Sequence, residues 1–241
     1  MSKKLAGKVA LVTGGSRGIG AATARVLAEQ GADVAISYSA SPDKANAVVE
    51  EIKRLGGRAV AFKADQADAV QVKELVKNVA KHYGRLDILV NNAGVFELAS
   101  VQDAAGDSSR VDHQLAVNVG GVVAAVRAAS NLLEEGGRII TVGSVIATRA
   151  GFAGLADYAG TKGAVVGYTR GWARDFGPKG ITVNVVQPGP INTDMNPDSG
   201  DFAGTQKSLT ALGRYGRPEE VAVAIAFLAS PEAGFITGAV L

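Results

Sequence analysis

Six short apolar runs rich in Val and Ile, at residues 9–12, 34–37, 59–62, 88–90, 139–142 and 182–186, recur along the whole chain. No other feature restricts the fold as strongly. Branched apolar side chains dominating runs of this length are the pattern of strands buried on both faces. Between them lie stretches with apolar residues at helical spacing, 18–30, 42–55, 70–83, 112–133 and 158–176, and Gly31, Gly56, Gly84 and Gly177 close four of them as helix C-caps do. Strand and helix therefore alternate, which predicts the α/β class: a single-domain, Rossmann-like, doubly wound parallel sheet with helices on both faces. All 241 residues fit one such unit, since no repeat, low-complexity tract or linker separates a second domain. The stretch 187–212 departs from the alternation. It holds Pro188, Pro190 and Pro197, and it reads either as a lid over a substrate or as a plain surface excursion.

Composition removes several classes of function. Hydrophobic residues make up 47% of the chain and charged residues 20%, with 31 Gly, which supports a buried sheet with tight turns and excludes disorder. The net charge is only +2, and bases are interleaved with acids, as in Glu50, Glu51, Lys53 and Arg54, so a nucleic-acid partner is not expected. The absence of Cys excludes disulfides, thiolate catalysis and Cys-based metal sites. His82 and His113 lie far apart, neither with a second ligand-like residue at helical spacing, and no metal is assigned. Trp172 reads as packing at a helix or subunit contact. The first apolar run ends at Gly14 and Gly15, too short for a signal segment, and no run approaches the roughly 18 apolar residues of a membrane span. A cytoplasmic protein with no membrane partner is the expectation.

The first strand runs directly into Thr13-Gly14-Gly15-Ser16-Arg17-Gly18-Ile19-Gly20 and then into an Ala-rich helix. Gly lets the backbone turn sharply and approach a ligand, while unpaired N–H groups and the dipole at a helix start attract negative charge. A Gly-rich segment alone is also the mark of any tight turn, but placed between strand and helix it reads as a cradle for a diphosphate. The second strand ends Ile36-Ser37-Tyr38-Ser39, with no carboxylate before Asp43. An acid at that end would hold the ribose hydroxyls of NAD and repel a 2′-phosphate, so its absence favours NADPH. Arg17 adds a guanidinium suited to phosphate oxygens. A solvated Arg17 and a Ser39 that simply faces water are the plainer alternatives.

Tyr158 and Lys162 stand four apart in a predicted helix and therefore share one face, stacked one turn apart. A phenol has a pKa of about 10, and a nearby ammonium favours the phenolate, so Lys162 is expected to lower Tyr158 towards a competent acid and base. Taken singly, such a pair also arises by chance, Ser144 could cap a turn after its strand, and Asn118 could pair with backbone.

Taken together, Thr13-Gly14-x-x-x-Gly18-x-Gly20, Asp65 after the third strand, Asn91-Asn92-Ala93-Gly94 after the fourth, Asn118, Ser144, Tyr158-x-x-x-Lys162 and Pro188-Gly189 resemble the short-chain dehydrogenase/reductase family along most of the chain. The resemblance implies a carbonyl reductase in which hydride passes from the reduced nicotinamide to the carbonyl carbon while Tyr158 protonates the alkoxide. Ser144 would bond the same oxygen, Lys162 would also hold the nicotinamide ribose, and Asn118 would anchor a water chain that replenishes the proton. It further implies cofactor contacts from Gly14, Ser16, Arg17, Gly18, Ile19 and Gly20 at the phosphates and from Tyr38 and Ser39 at the 2′ position. Asp65 and Gln66 would contact the adenine, Asn92, Ala93 and Gly94 the adenosine side, and Pro188, Gly189, Ile191 and Thr193 the nicotinamide.

Within the family the closest resemblance is to bacterial 3-oxoacyl-[acyl-carrier-protein] reductases and related carbonyl reductases. The acidic pair Glu134 and Glu135 before the fifth strand would oppose an acidic carrier, with Arg127, Arg170 and Arg174 as compensations. The reading is therefore a stand-alone ketone or aldehyde reductase, ahead of the fatty-acid role and of a non-catalytic NADP-sensing regulator. Similar enzymes are homotetramers built on helices here at 112–133 and 158–176, with Ala124, Ala125, Ala128, Gly167 and Gly171 on the outer faces. Two departures stand out. Tyr158 follows Ser144 by 14 positions, one more than is commonest, so the loop 145–157 is expected to bulge. The chain ends at Ile236-Thr237-Gly238-Ala239-Val240-Leu241, where similar proteins continue through a last strand into an Asp-Gly-Gly tail.

Overall fold

The computed structural model describes residues 3–102 and 108–241. Strands β1 (Val9–Val12), β2 (Asp33–Tyr38), β3 (Ala59–Lys63), β4 (Ile88–Asn91), β5 (Arg138–Val142) and β6 (Thr182–Val186) form one sheet in the order β3-β2-β1-β4-β5-β6. Every neighbouring pair is parallel, with Val12 of β1 opposite both Ile36 and Val90. Helices α1 (Gly18–Glu29), α2 (Pro42–Arg54), α3 (Ala69–Tyr83), α4 (Ser109–Leu115), α5 (Gly121–Ala129), α6 (Ala156–Phe176), α7 (Ala203–Ser208) and α8 (Pro218–Ala229) make the connections. The strand order reverses between β1 and β4, which opens a crevice beyond their C-terminal ends.

The uninterrupted apolar strands are explained by two cores, one on each face. Because successive side chains point to opposite faces, Ala10, Val12, Ile36, Val90 and Ile140 pack with α1, α2 and α8. Leu11, Ala35, Leu89, Ile139 and Val183 pack with α3, α5 and α6 on the other side. Beyond β6, Val185 N–H donates to Ala239 O at 3.0 Å and Leu241 N–H to Val185 O at 3.0 Å, so residues 239–241 add a parallel bridge at the sheet edge. Among the described residues no helix is long and apolar enough to cross a membrane.

Two expectations need correction, and one helix was not foreseen. The helix expected over 112–133 is interrupted by a π-helical turn, Ala116–Gly120, and ends at Ala129. Gly121, just beyond that turn, has no room for a side chain, since a methyl there would lie 2.2 Å from Gln66 O; this glycine lets the helix press on the loop after β3. Ala125, expected on the outer face, is fully buried in the core. Helix α8 escaped the periodicity because it is apolar nearly all round, although Pro218, Glu219 and Glu220 are a good helix start.

Candidate active site

The crevice is floored by the glycine turn between β1 and α1. Gly14 and Gly18 adopt φ of 63° and 54°, left-handed values that a Cβ makes costly. Gly14 N–H donates to Ser37 Oγ at 3.2 Å and Gly15 N–H to Ser37 O at 2.9 Å, which presses the turn onto the end of β2. No side chain caps α1 and its first turn holds no acid, so its leading N–H groups and positive dipole end are left for an anion. Thr13 Oγ1 accepts from Asn92 N and Ala93 N at 3.0 Å each, and Asn92 Nδ2 donates to Thr13 O at 2.8 Å and Gly14 O at 3.1 Å. Asn92, read as a cofactor contact, thus has its amide committed to shaping the turn. A methyl on Gly20 would lie 2.4 Å from Gly14 O and 2.5 Å from Asn92 Nδ2. Gly20→Ala is therefore expected to cost about 1–3 kcal/mol in urea unfolding; an unchanged midpoint would show that the turn can yield.

Around the cradle, Ser37 is buried while Tyr38 is half-buried and Ser39 exposed. Asp65 is exposed, its Oδ1 accepting from Ala67 N at 2.9 Å. The buried Gln66 amide lies against Gly121 and has no hydrogen-bond partner among the described residues. On the far side of the crevice Pro188 O accepts from Val145 N at 3.1 Å, and Ile191 bridges to Gly216. Thr193 comes over the turn itself: a methyl on Gly18 would lie 3.2 Å from its Cγ2.

Four polar residues from three elements meet beside this floor. Asn118 is carried in by the π-helical turn, Ser144 follows β5, and Tyr158 and Lys162 rise from α6. Asn118 is buried; its Oδ1 accepts from Val95 N at 2.9 Å, and its Nδ2 donates to Val95 O at 2.9 Å and Thr161 Oγ1 at 3.2 Å. Lys162 is buried too, its Nζ donating to Val142 O at 3.0 Å and lying 5.7 Å from the Tyr158 ring centre. Ser144 Oγ accepts from Ile146 N at 3.2 Å in a 3₁₀ turn, Val145–Ala147, at the start of the longer loop. Ser144 and Asn118 therefore satisfy their plainer roles, turn cap and backbone partner, within the cluster itself.

The electrostatics differ from expectation. Burial pushes the Tyr158 phenol above its ordinary value, with a hydrogen bond to Ser144 pulling partly back, so the net shift is upward and not the lowering expected from Lys162. The ammonium is turned to the Val142 carbonyl, and burial lowers Lys162 itself to about 8. Phe96 stands edge-on to Tyr158, ring centres 4.9 Å apart, and Thr161 Oγ1 donates to Tyr158 O at 2.8 Å. Sequence reasoning passed over both; the position of Thr161 between Tyr158 and Lys162 was the one available signal.

The acidic pair Glu134 and Glu135 is misplaced as an argument against an acyl carrier. It precedes the N-terminal end of β5, whereas Ser144 follows the C-terminal end. Five residues of strand separate the two by about 17 Å. The pair therefore does not stand where it would oppose an acidic carrier at the site. Among the described residues no three His, Asp or Glu side chains could hold a metal.

A glycine cradle at the switch point of a doubly wound sheet, facing a Tyr–Ser–Lys–Asn group, defines a dinucleotide-dependent oxidoreductase. A family model described as Enoyl-(Acyl carrier protein) reductase matches residues 14–241. The chain belongs to the short-chain dehydrogenase/reductase family. It is similar to a short chain dehydrogenase from Burkholderia cenocepacia J2315, solved in complex with NADP, at a TM-score of 0.96 and 51% identity over 99% of this chain and 96% of that one. Elsinochrome reductase 1 of Elsinoe fawcettii is 41% identical, over 100% of this chain and 94% of its own. A cyclic-di-GMP-binding biofilm dispersal mediator protein of Escherichia coli strain K12 is 44% identical, over 97% and 94%.

Proposed function

We propose that this chain is an NADPH-dependent reductase that converts a ketone or aldehyde to an alcohol, with Tyr158 as proton donor. The gathering of Tyr158, Ser144, Lys162 and Asn118 next to the glycine cradle carries this reading. The cradle fits a dinucleotide: a methyl on Gly94 would lie 3.3 Å from Asn118 Oδ1 and 3.6 Å from Lys162 Nζ, so that position is kept bare beside the polar group. Gly14, Ser16, Gly18, Ile19 and Gly20 would hold the diphosphate, Arg17, Tyr38 and Ser39 the 2′ side, Asp65, Gln66 and the Ala93–Gly94 backbone the adenosine, and Pro188, Gly189, Ile191 and Thr193 the nicotinamide. Bound NADPH supplies the hydride.

The protein's part is the proton and the developing charge. A phenol whose pKa is raised by burial stays protonated at neutral pH and can donate. Ser144 bonds the same oxygen, and Lys162 places a positive charge close by in a site of low dielectric. Asn118 has both amide hydrogens engaged, so it anchors the Val95 loop, and its Oδ1 keeps one lone pair for a water. Retention of the donor, its partner and the charge favours an enzyme over a regulator that only senses NADP. The segment 187–212, carrying α7, is proposed as the substrate lid.

The test is NADPH oxidation over a panel of ketones, aldehydes and a 3-oxoacyl thioester, with NADH in parallel. Turnover of free ketones above the thioester supports the stand-alone reductase; the reverse order makes the acyl-carrier role the better one. Phe96 is expected to face the substrate beside Tyr158, and Phe96→Ala should lower kcat/KM for aromatic ketones about threefold to tenfold. Equal loss for small aliphatic ketones would argue that Phe96 only positions Tyr158. A homotetramer is also proposed, supported by the stacked Tyr168 and Trp172 beside Gly167 and Gly171 on α6 and by exposed Val223, Phe227 and Phe235. A monomeric mass by light scattering would overturn it.

A further inference from the structure

The segment that leaves β6 sends one carboxylate back over the phosphate turn. Asp194 Oδ2 lies 2.8 Å from Lys44 Nζ and 3.6 Å from Arg17 Nη1. The two cations come from different places: Arg17 from the glycine turn, Lys44 from the third position of α2. In sequence the end of β2 falls between them, with Tyr38 and Ser39 and no carboxylate, and the glycine turn is pinned to that end through Ser37. A guanidinium and an ammonium thus converge on a single anionic oxygen at the end of the crevice where the adenosine ribose of a dinucleotide would lie.

Asp194 is held there by its own turn. Asn196 N–H donates to Thr193 O at 3.1 Å, Asn192 N–H to Gly216 O at 3.0 Å, and the Asn196 and Gln206 amides pair at 3.0 and 3.1 Å. Lys44, and then Arg17, hold its carboxyl below the usual carboxylate range. The carboxylate brings one negative charge, whereas a phosphomonoester brings about 1.5 to 2 and three acceptor oxygens.

We propose that Lys44 joins Arg17 in reading the cofactor 2′-phosphate, and that Asp194 is an intramolecular rival which occupies this cation pair until the phosphate displaces it. The proposal rests on the NADPH reading above. NADH has no group with which to displace Asp194, so the rivalry favours NADPH, and displacement frees the 193–196 turn at the root of the proposed lid.

The experiment is direct binding to the cofactor-free full chain, by calorimetry or nucleotide fluorescence, with NADPH, NADH, adenosine 2′,5′-bisphosphate and adenosine 5′-monophosphate as probes. Asp194→Asn is expected to tighten NADPH and the bisphosphate about fivefold and to leave NADH and the monophosphate within about twofold. Lys44→Gln should weaken NADPH and the bisphosphate by about fivefold without touching NADH, and in the double variant the gain from Asp194→Asn should shrink. Equal changes for both cofactors, or none in Asp194→Asn, overturn the rivalry; unchanged NADPH binding in Lys44→Gln overturns the role of Lys44. If the parent chain binds NADH as tightly as NADPH, the cofactor reading itself has failed, and that is seen before any variant is made.

Discussion

Tyr158→Phe is expected to lower kcat for carbonyl reduction by about 10²–10⁴-fold while leaving the Kd for NADPH within about twofold. The substitution removes one oxygen and keeps the ring that packs edge-on to Phe96. What is lost is the hydroxyl of the half-buried Tyr158, whose raised pKa keeps it a proton donor at neutral pH. Single-turnover rates with pre-bound NADPH check this, because they separate the chemical step from binding. A loss below tenfold would mean that solvent or Ser144 delivers the proton, and the assignment of Tyr158 would fall. A large loss of NADPH affinity would instead make Tyr158 a binding residue.

The second large effect concerns Lys162. Its ammonium is buried against Val142 O, and burial brings it down to about 8. If the positive charge assists the developing alkoxide, kcat/KM for reduction is flat at neutral pH and falls as pH rises through about 8, since kcat/KM reports the free enzyme. Tyr158, shifted upwards, stays protonated across that window and does not produce the limb. Lys162→Met is expected to remove the limb and lower kcat/KM at neutral pH by about 10²-fold or more. A limb near 8 that persists in the variant would assign it to another group. The stability effect has a defined sign. Between about 8 and the ordinary 10.5 the unfolded chain keeps a proton that folded Lys162 has released, so this group makes the fold more stable as pH rises through that window. Urea midpoints of parent and Lys162→Met across the window measure it.

Strand runs, the glycine turn and the Tyr–Lys spacing were legible without coordinates, because each is a local rule written in neighbouring residues. A strand buried on both faces is predominantly apolar, as 9–12 is, and a turn that needs left-handed φ must use glycine, as at Gly14 and Gly18. Helical periodicity likewise put Tyr158 and Lys162 on one face. It failed at 116–120, where π-helical bonding shifts the partner by one residue and leaves no periodic trace, and at α8, which is apolar on nearly every side.

Electrostatics and long-range pairing were not legible, because they depend on what surrounds a group. From spacing, Lys162 should lower Tyr158; burial of the phenol gives a net shift in the opposite direction. From proximity in sequence, Glu134 and Glu135 guarded the site; the strand carries them to its opposite end. Asn92 looked like a ligand contact, and only the folded turn commits its amide to Thr13 and Gly14. Lys44 and Asp194, 150 positions apart, could not be paired from the chain at all. The sequence by itself thus determined the sheet, the cradle and the identity of the proton donor's helix, since these follow from local propensity and from periodic burial. Tertiary structure alone decided which charges face one another and how far each is removed from water, because both quantities belong to the space between elements and not to any one of them.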